Sequence, residues 1–150
     1  MGTDATYLLG ALGTTVLLGL SACGACNGMS VCGAASALNA SVPAIVTYSY
    51  VAMIIISTVF FYAFILAIII INRLVPEYTL QDGLKHLAAG ILFGGVGMYS
   101  GNSMGEISKE GFRRLAKRPG FFMTFLVALA SVEVTLVIAF LCALLIIFSV

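Results

Sequence analysis

The 150-residue sequence has no tryptophan, one histidine and three prolines, and Asp, Glu, Lys and Arg together make up only 9% of it. With so little charge and a mean hydropathy of +1.14, the chain cannot cover its surface with polar groups as a water-soluble domain must. The formal net charge is +1, far from the clustered basic surface that a phosphate backbone requires, which excludes nucleic acid as a partner. No Gly-rich stretch ends in Gly-Lys-Ser/Thr, so no nucleotide-cradling loop is present. One histidine cannot complete a Ser-His-Asp set with a single membrane-embedded acid, and neither a catalytic centre nor a cofactor is expected. Met1 to Tyr7 has no Lys or Arg, so the basic region of a secretory signal peptide is missing and the first apolar segment is expected to be retained.

The four cysteines do not make a metal site. Cys23 and Cys26 form a CxxC, with Cys32 beyond and Cys142 near the other end, but zinc needs four ligands and a polar second shell, and no histidine is close in sequence. In a segment rich in Gly, Ala and Ser they read as small packing residues. His86, beside Lys85 at the start of a span, reads as an interfacial residue and not as a proton relay.

What the chain has is apolar length. From Ala5 to Asn72 there is no charged residue, a run that as helix reaches about three times the thickness of a bilayer core. It must fold back once, and Asn39-Ala40-Ser41-Val42-Pro43 is the one cluster of turn formers in it. This predicts helix one over Tyr7 to Leu38 and helix two over Ala44 to Asn72. Arg73 to Gly83 is a polar connector with Pro76 as breaker and Asp82 as the expected N-cap. Helix three is predicted from Leu84 to Gly105. The segment 106–120 holds seven of the thirteen charges and reads as a loop before Pro119 opens helix four, which runs to Val150. The expected fold is thus all-α: an integral membrane four-helix protein of two tandem hairpins, 7–72 and 84–150, in one domain. Five of the seven Lys and Arg residues lie in 106–120, which places that loop and the 39–43 turn in the cytoplasm and both termini on the luminal or outer side.

The two halves repeat. A shift of 77 places Gly13 on Gly90, Gly24 on Gly101 and Gly28 on Gly105, and a shift of 76 places Pro43 on Pro119. Thirteen of the sixteen glycines fall in helix one or in helix three and its extension, whereas 44–72 and 121–150 have none. Glycine at three- and four-residue spacing lets helix backbones approach closely, so Gly24, Gly28, Gly101 and Gly105 are read as packing positions. Thin helices one and three suit the inner radius of a ring of copies, with bulky helices two and four outside.

Within the thirty residues from Phe121 to Val150 only Glu133 carries a charge. An ionised carboxylate at mid-depth costs at least about 2.5 kcal/mol on insertion scales, so it is seldom kept without a task. The 76-residue shift sets Ser57 opposite it in the repeat, so one acid serves four helices. On a helical wheel, Glu133 shares its face with the bulky Leu126, Leu129, Leu136, Val137, Phe140 and Leu144, and the small Ala128, Ser131, Thr135, Ala139 and Cys142 lie on the far side. If the small stripe packs inward, the carboxyl faces lipid and stays protonated there.

These residues resemble the proteolipid c subunits of V-type ATPases. The likeness spans nearly the whole chain and is most specific in the second half, Gly101-Asn102-Ser103-Met104-Gly105, then Gly111, Pro119 and Glu133-Val134 fourteen residues after the proline. The resemblance implies a proton-carrying rotor ring in which Glu133 is the proton-binding residue, in a vacuolar or other acidic endomembrane, or the plasma membrane. It implies as partners other copies and related proteolipids, a static membrane subunit supplying an arginine, soluble central-stalk subunits at the cytoplasmic loops, and lipid. ATP hydrolysis would then occur on a partner. Where the family places a Gly and a Tyr after its glutamate, this chain has Thr135, Leu136 and Ile138. A carboxyl partner must come from elsewhere, with Ser57, Thr58, Tyr62 and Ser103 as candidates. Two alternatives stay open: a sodium-carrying rotor, which would need several oxygen ligands, and a small proton-coupled four-helix exporter.

Overall fold

The computed structural model describes residues 2–75 and 78–149. Among them are four α-helices and no strand: α1 (Gly2–Leu38), α2 (Pro43–Asn72), α3 (Leu80–Leu115) and α4 (Phe122–Phe148), with a single 3-10 turn at Pro119–Phe121 before α4. Three segments, Thr6–Leu38, Pro43–Asn72 and Pro119–Phe148, are long and apolar enough to cross a membrane. α3 is as long, but its glycines and its charged last turns replace aliphatic side chains, so it does not meet that standard of composition.

The α1–α2 turn closes as the sequence requires. The Asn39 side-chain amide donates to Ala35 O at 2.8 Å and so satisfies one carbonyl at the end of α1. Pro43 occupies the first turn of α2, where its missing N–H breaks no bond. The connector's Pro76, expected as its helix breaker, lies outside the described residues together with Glu77.

The ends of α3 differ from the sequence reading. The N-cap is Thr79, not Asp82: the Thr79 hydroxyl accepts from the Asp82 amide at 3.2 Å, and the Thr79 amide donates back to the Asp82 carboxylate at 3.2 Å. This reciprocal capping box starts the helix four residues before the expected Leu84, with Asp82 in its first turn. Nor does α3 stop at Gly105; it runs to Leu115, and most of the 106–120 loop is helix. The charges that suggested a loop are spaced at helical intervals, pairing Lys109 with Glu106 at 3.2 Å and Arg114 with Glu110 at 3.1 Å. Arg113 and Arg114 in the last turn also complement the helix dipole. Helix four likewise opens not directly at Pro119 but with the 3-10 turn that the proline begins.

α1 and α3 run parallel in backbone contact. A Cβ on Gly24 would lie 2.5 Å from Met98 Cα, one on Gly13 2.7 Å from His86 O, and one on Gly105 2.8 Å from Gly28 Cα. Gly90 and Gly101 press in the same way on Gly13 and Gly24, so the positions related by the 77-residue shift touch one another. A side chain at any of these sites would hold the helices apart.

α2 and α4 flank this pair. Tyr48 stacks on Phe122 with ring centroids 4.2 Å apart, and Tyr62 lies against Phe140 at 5.3 Å, which sets the two helices side by side with a long seam between them. At the far end the Arg73 guanidinium donates to Ile147 O at 3.4 Å and covers the Phe148 ring, and Lys85 donates to Ser149 O at 2.6 Å. Two cations thus satisfy the carbonyl end of α4. Leu17, Ile56, Val59, Phe93, Met104 and Leu136 form a buried centre, while Ile54, Phe61, Val134, Ile138 and Leu145 face outward, an apolar exterior suited to lipid.

Two outcomes are expected. Gly101→Ala should lower stability by about 1–3 kcal/mol through overpacking. Gly95→Ala, where nothing lies within 4 Å of the added methyl, should raise it by about 0.5–1 kcal/mol by replacing a mid-helix glycine. Thermal unfolding of both variants in detergent checks the contrast, and equal midpoints would contradict it. The second outcome concerns acid. Hydrogen bonds from the Thr79 hydroxyl and amide hold the Asp82 carboxyl below its ordinary value of 3.8. A depressed carboxyl contributes stability above its unfolded value and loses it as pH falls through the folded value. The protection of the first-turn amides of α3 against hydrogen exchange, taken relative to the intrinsic rate at each pH, should therefore fall as pH drops below about 4, and Asp82→Asn should abolish that dependence.

Candidate functional site

α4 carries the one ionisable carboxyl of the apolar interior. Leu129 and Leu136, four residues before Glu133 and three after it, are fully buried, so Glu133 emerges at the edge of the packed face and is half-buried. Phe122 and Phe140 point within about 20° of the same direction on the helix, and both make ring contacts with α2. Glu133 therefore lies along the α2–α4 seam, between the two aromatic contacts. Among the described residues no hydrogen bond or ion pair to its carboxyl is formed.

This placement corrects the wheel. The small stripe was expected to pack inward, yet Ser131, Thr135 and Cys142 are exposed and of the stripe only Ala139 is buried. The bulky side of α4 faces the rest of the chain instead, with Phe125, Leu129 and Leu136 buried against it. Gly111 lies directly under the Phe125 ring. The carboxyl is consequently at the flank of the packed face and not opposite it.

The four candidate partners are placed as follows. Ser57 Oγ donates to Ile54 O and Thr58 Oγ1 to Ile55 O, each at 2.7 Å, so both hydroxyls are turned to their own helix. Tyr62 sits in the seam with its ring on Phe140. Ser103 lines an open groove of about 760 Å³ between α3 and α4, with Tyr99, Ser100, Ser131, Val132 and Thr135. None of the four is hydrogen-bonded to the Glu133 carboxyl.

The His86 side chain is not at the surface. It is 2% exposed, beneath Gly13 of α1, with its Nδ1 2.5 Å from the Tyr78 hydroxyl. Gly13 allows α1 to come close enough to cover the start of α3, and the imidazole is satisfied by the connector instead of by headgroups. Tyr78 is itself fixed by stacking on Tyr7, and burial, reinforced by the Asp82 charge, pushes its phenol up to about 12. Of the cysteines only Cys32 packs internally, and Cys23, Cys26 and Cys142 face outward. Among the described residues no three of His, Cys, Asp and Glu gather to hold a metal. One polar contact had not been foreseen: Asn27 donates to Asn102 at 2.7 Å across the α1–α3 contact. The signal was available, since the two amides are 75 residues apart, close to the repeat shift.

The site is thus one carboxyl at mid-span on an apolar helix, beside a close-packed glycine-rich pair. Residues 87–146, which include Glu133, match the family model of the ATP synthase C subunit. The chain is similar to the V-type proton ATPase c' subunit of Eremothecium gossypii, 33% identical over 75 residues covering 49% of this chain and 46% of the relative. It is similar also to the 16 kDa proteolipid c subunit of the V-type proton ATPase of Nephrops norvegicus, 25% identical over 100 residues covering 65% and 63%. The chain is thus similar, at low identity, to proteolipid c and c' subunits of V-type proton ATPases, and it spans about half to two thirds of the length of these relatives.

Proposed function

We propose that this chain is a proton-carrying rotor-ring subunit of the membrane sector of a V-type rotary ATPase, with Glu133 as the proton-binding residue. The observation that carries the reading is a lone, half-buried carboxyl midway along an apolar helix, at a seam that opens outward and with no internal partner among the described residues. An ionised carboxylate is costly at that depth, so Glu133 stays protonated while lipid faces the seam. An arginine on a static membrane subunit, within about 4–6 Å, favours the ionised form and draws the proton off. Alternation between the two surroundings is what a rotor needs to carry protons one way.

In the ring, copies and related proteolipids stand side by side with α1 and α3 inside and α2 and α4 outside, the hairpins 7–72 and 84–150 serving as the repeating units. The small stripe of α4 and the α3–α4 groove are free in the single chain and suit an adjoining copy. Parity with the basic end of α3 puts the 39–43 turn and 106–120 in the cytoplasm, facing soluble central-stalk subunits, and the termini on the luminal or outer side of an acidified compartment. The chain itself contributes no catalytic centre, and hydrolysis occurs on partners. A sodium rotor is less well supported, since a hard cation needs several oxygen ligands and the candidate Ser57 and Thr58 hydroxyls are committed to their own helix.

Glu133→Gln should abolish proton uptake by reconstituted vesicles while membrane insertion and assembly persist, because the amide keeps the shape but exchanges no proton. Failure to insert would instead make the acid structural. An apolar carbodiimide, which attacks protonated carboxyls, should label Glu133 from the lipid phase near neutral pH and more slowly as pH rises. Glu106 and Glu110, exposed and paired with cations, should stay unlabelled; equal labelling of all three would count against the reading.

A further inference from the structure

Arg114, Lys117, Arg118 and Phe121 line a cavity of about 310 Å³ where α3 ends and α4 begins. The backbone builds it. The amides of Lys117 and Arg118 both donate to Arg114 O, at 3.0 and 2.9 Å, which folds the chain back and gathers three cations around one turn. The Arg114 guanidinium is held in place by Glu110 at 3.1 Å and lies 5.7 Å over the Phe121 ring. No acid lines the cavity, and among the described residues Lys117 and Arg118 have no ion-pair partner.

The cavity lies at the membrane surface. The apolar span of α4 starts at Pro119, the residue after Arg118. Phe122 stacks on Tyr48 near the start of α2, and Leu38 at the end of α1 shares a cavity wall with Lys109 and Arg113 of α3. Four helix ends thus mark one level, with the cations on the water side of it. Of three lining charges, Arg114 is shared with Glu110, which leaves two uncompensated. Two arginine forks and a lysine ammonium suit the tetrahedral oxygens of a phosphate better than a carboxylate. Two uncompensated charges match a dianion. We propose that this cavity binds the phosphate-monoester headgroup of a membrane lipid. The site goes beyond proton carriage by Glu133 and does not depend on it.

The test uses the purified full chain reconstituted in phosphatidylcholine bilayers doped with phosphatidic acid or phosphatidylserine, with retained lipid counted by native mass spectrometry. Phosphatidic acid should be retained in preference to phosphatidylserine. Lys117→Gln with Arg118→Gln should reduce that retention about twentyfold, and Arg118→Gln alone about fivefold, from the loss of surface cations. Lys109→Gln, outside the cavity, should change it by less than about twofold. Thermal unfolding of each variant establishes that it is folded, and the single variant stands if the double one is not. Equal retention of the two lipids, or no effect of Arg118→Gln, would overturn the proposal. Displacement by excess inorganic phosphate would make this a site for free phosphate and overturn the lipid assignment. Binding of poly-glutamate in place of either lipid, weakened by the same variants, would assign the cavity to an acidic protein segment and overturn it equally.

Discussion

The contact on which the rest of the structure depends is the backbone-to-backbone approach of α1 and α3. In a bilayer the lipid tails are as apolar as any side chain, so helices gain nothing by hiding hydrophobic surface from them. Dispersion and close fit remain, and both fall off steeply with distance. Gly13, Gly24, Gly28, Gly90, Gly101 and Gly105 allow the two helix backbones to touch along their common length. The repeat in the sequence is therefore more than a record of duplication, because its equivalent positions are the surfaces that meet.

With the centre so thin, the large side chains have to go outside it. α2 and α4 supply them, and they meet through widely spaced aromatic contacts instead of a continuous interface. The seam that results is narrow enough to half-bury a carboxyl and open enough to leave it reachable from the side. Under the proposed function, that combination would give Glu133 two surroundings without moving the fold: apolar while lipid covers the seam, polar when another protein does.

The two ends of the bundle are built differently. At one, Arg73 and Lys85 bond the carbonyl end of α4, and Tyr78 and His86 close over the start of α3. At the other, the cations of α3 are only partly matched by Glu106 and Glu110, and those after Leu115 remain unmatched among the described residues. One end is internally satisfied, and the other presents charge.

The sequence by itself determined the helical class, the break at Asn39 to Pro43, the pairing of glycine-rich helices and the single carboxyl of α4. Each is written in composition or in local periodicity, which do not depend on neighbours. The extension of α3 to Leu115 was legible in principle, since its charges recur at three and four residues, but charge density outweighed period in reading 106–120 as a loop. The cap at Thr79 was legible too, as half of a box with Asp82. Only the tertiary structure decided which side of α4 packs. A wheel ranks faces by side-chain size, whereas the partner sets the choice: Phe125 packs onto Gly111 of α3 and Leu129 and Leu136 are buried with it, so the small side is left free. The same is true of His86, whose burial follows from the position of Gly13, more than seventy residues away in the chain and in contact only after folding.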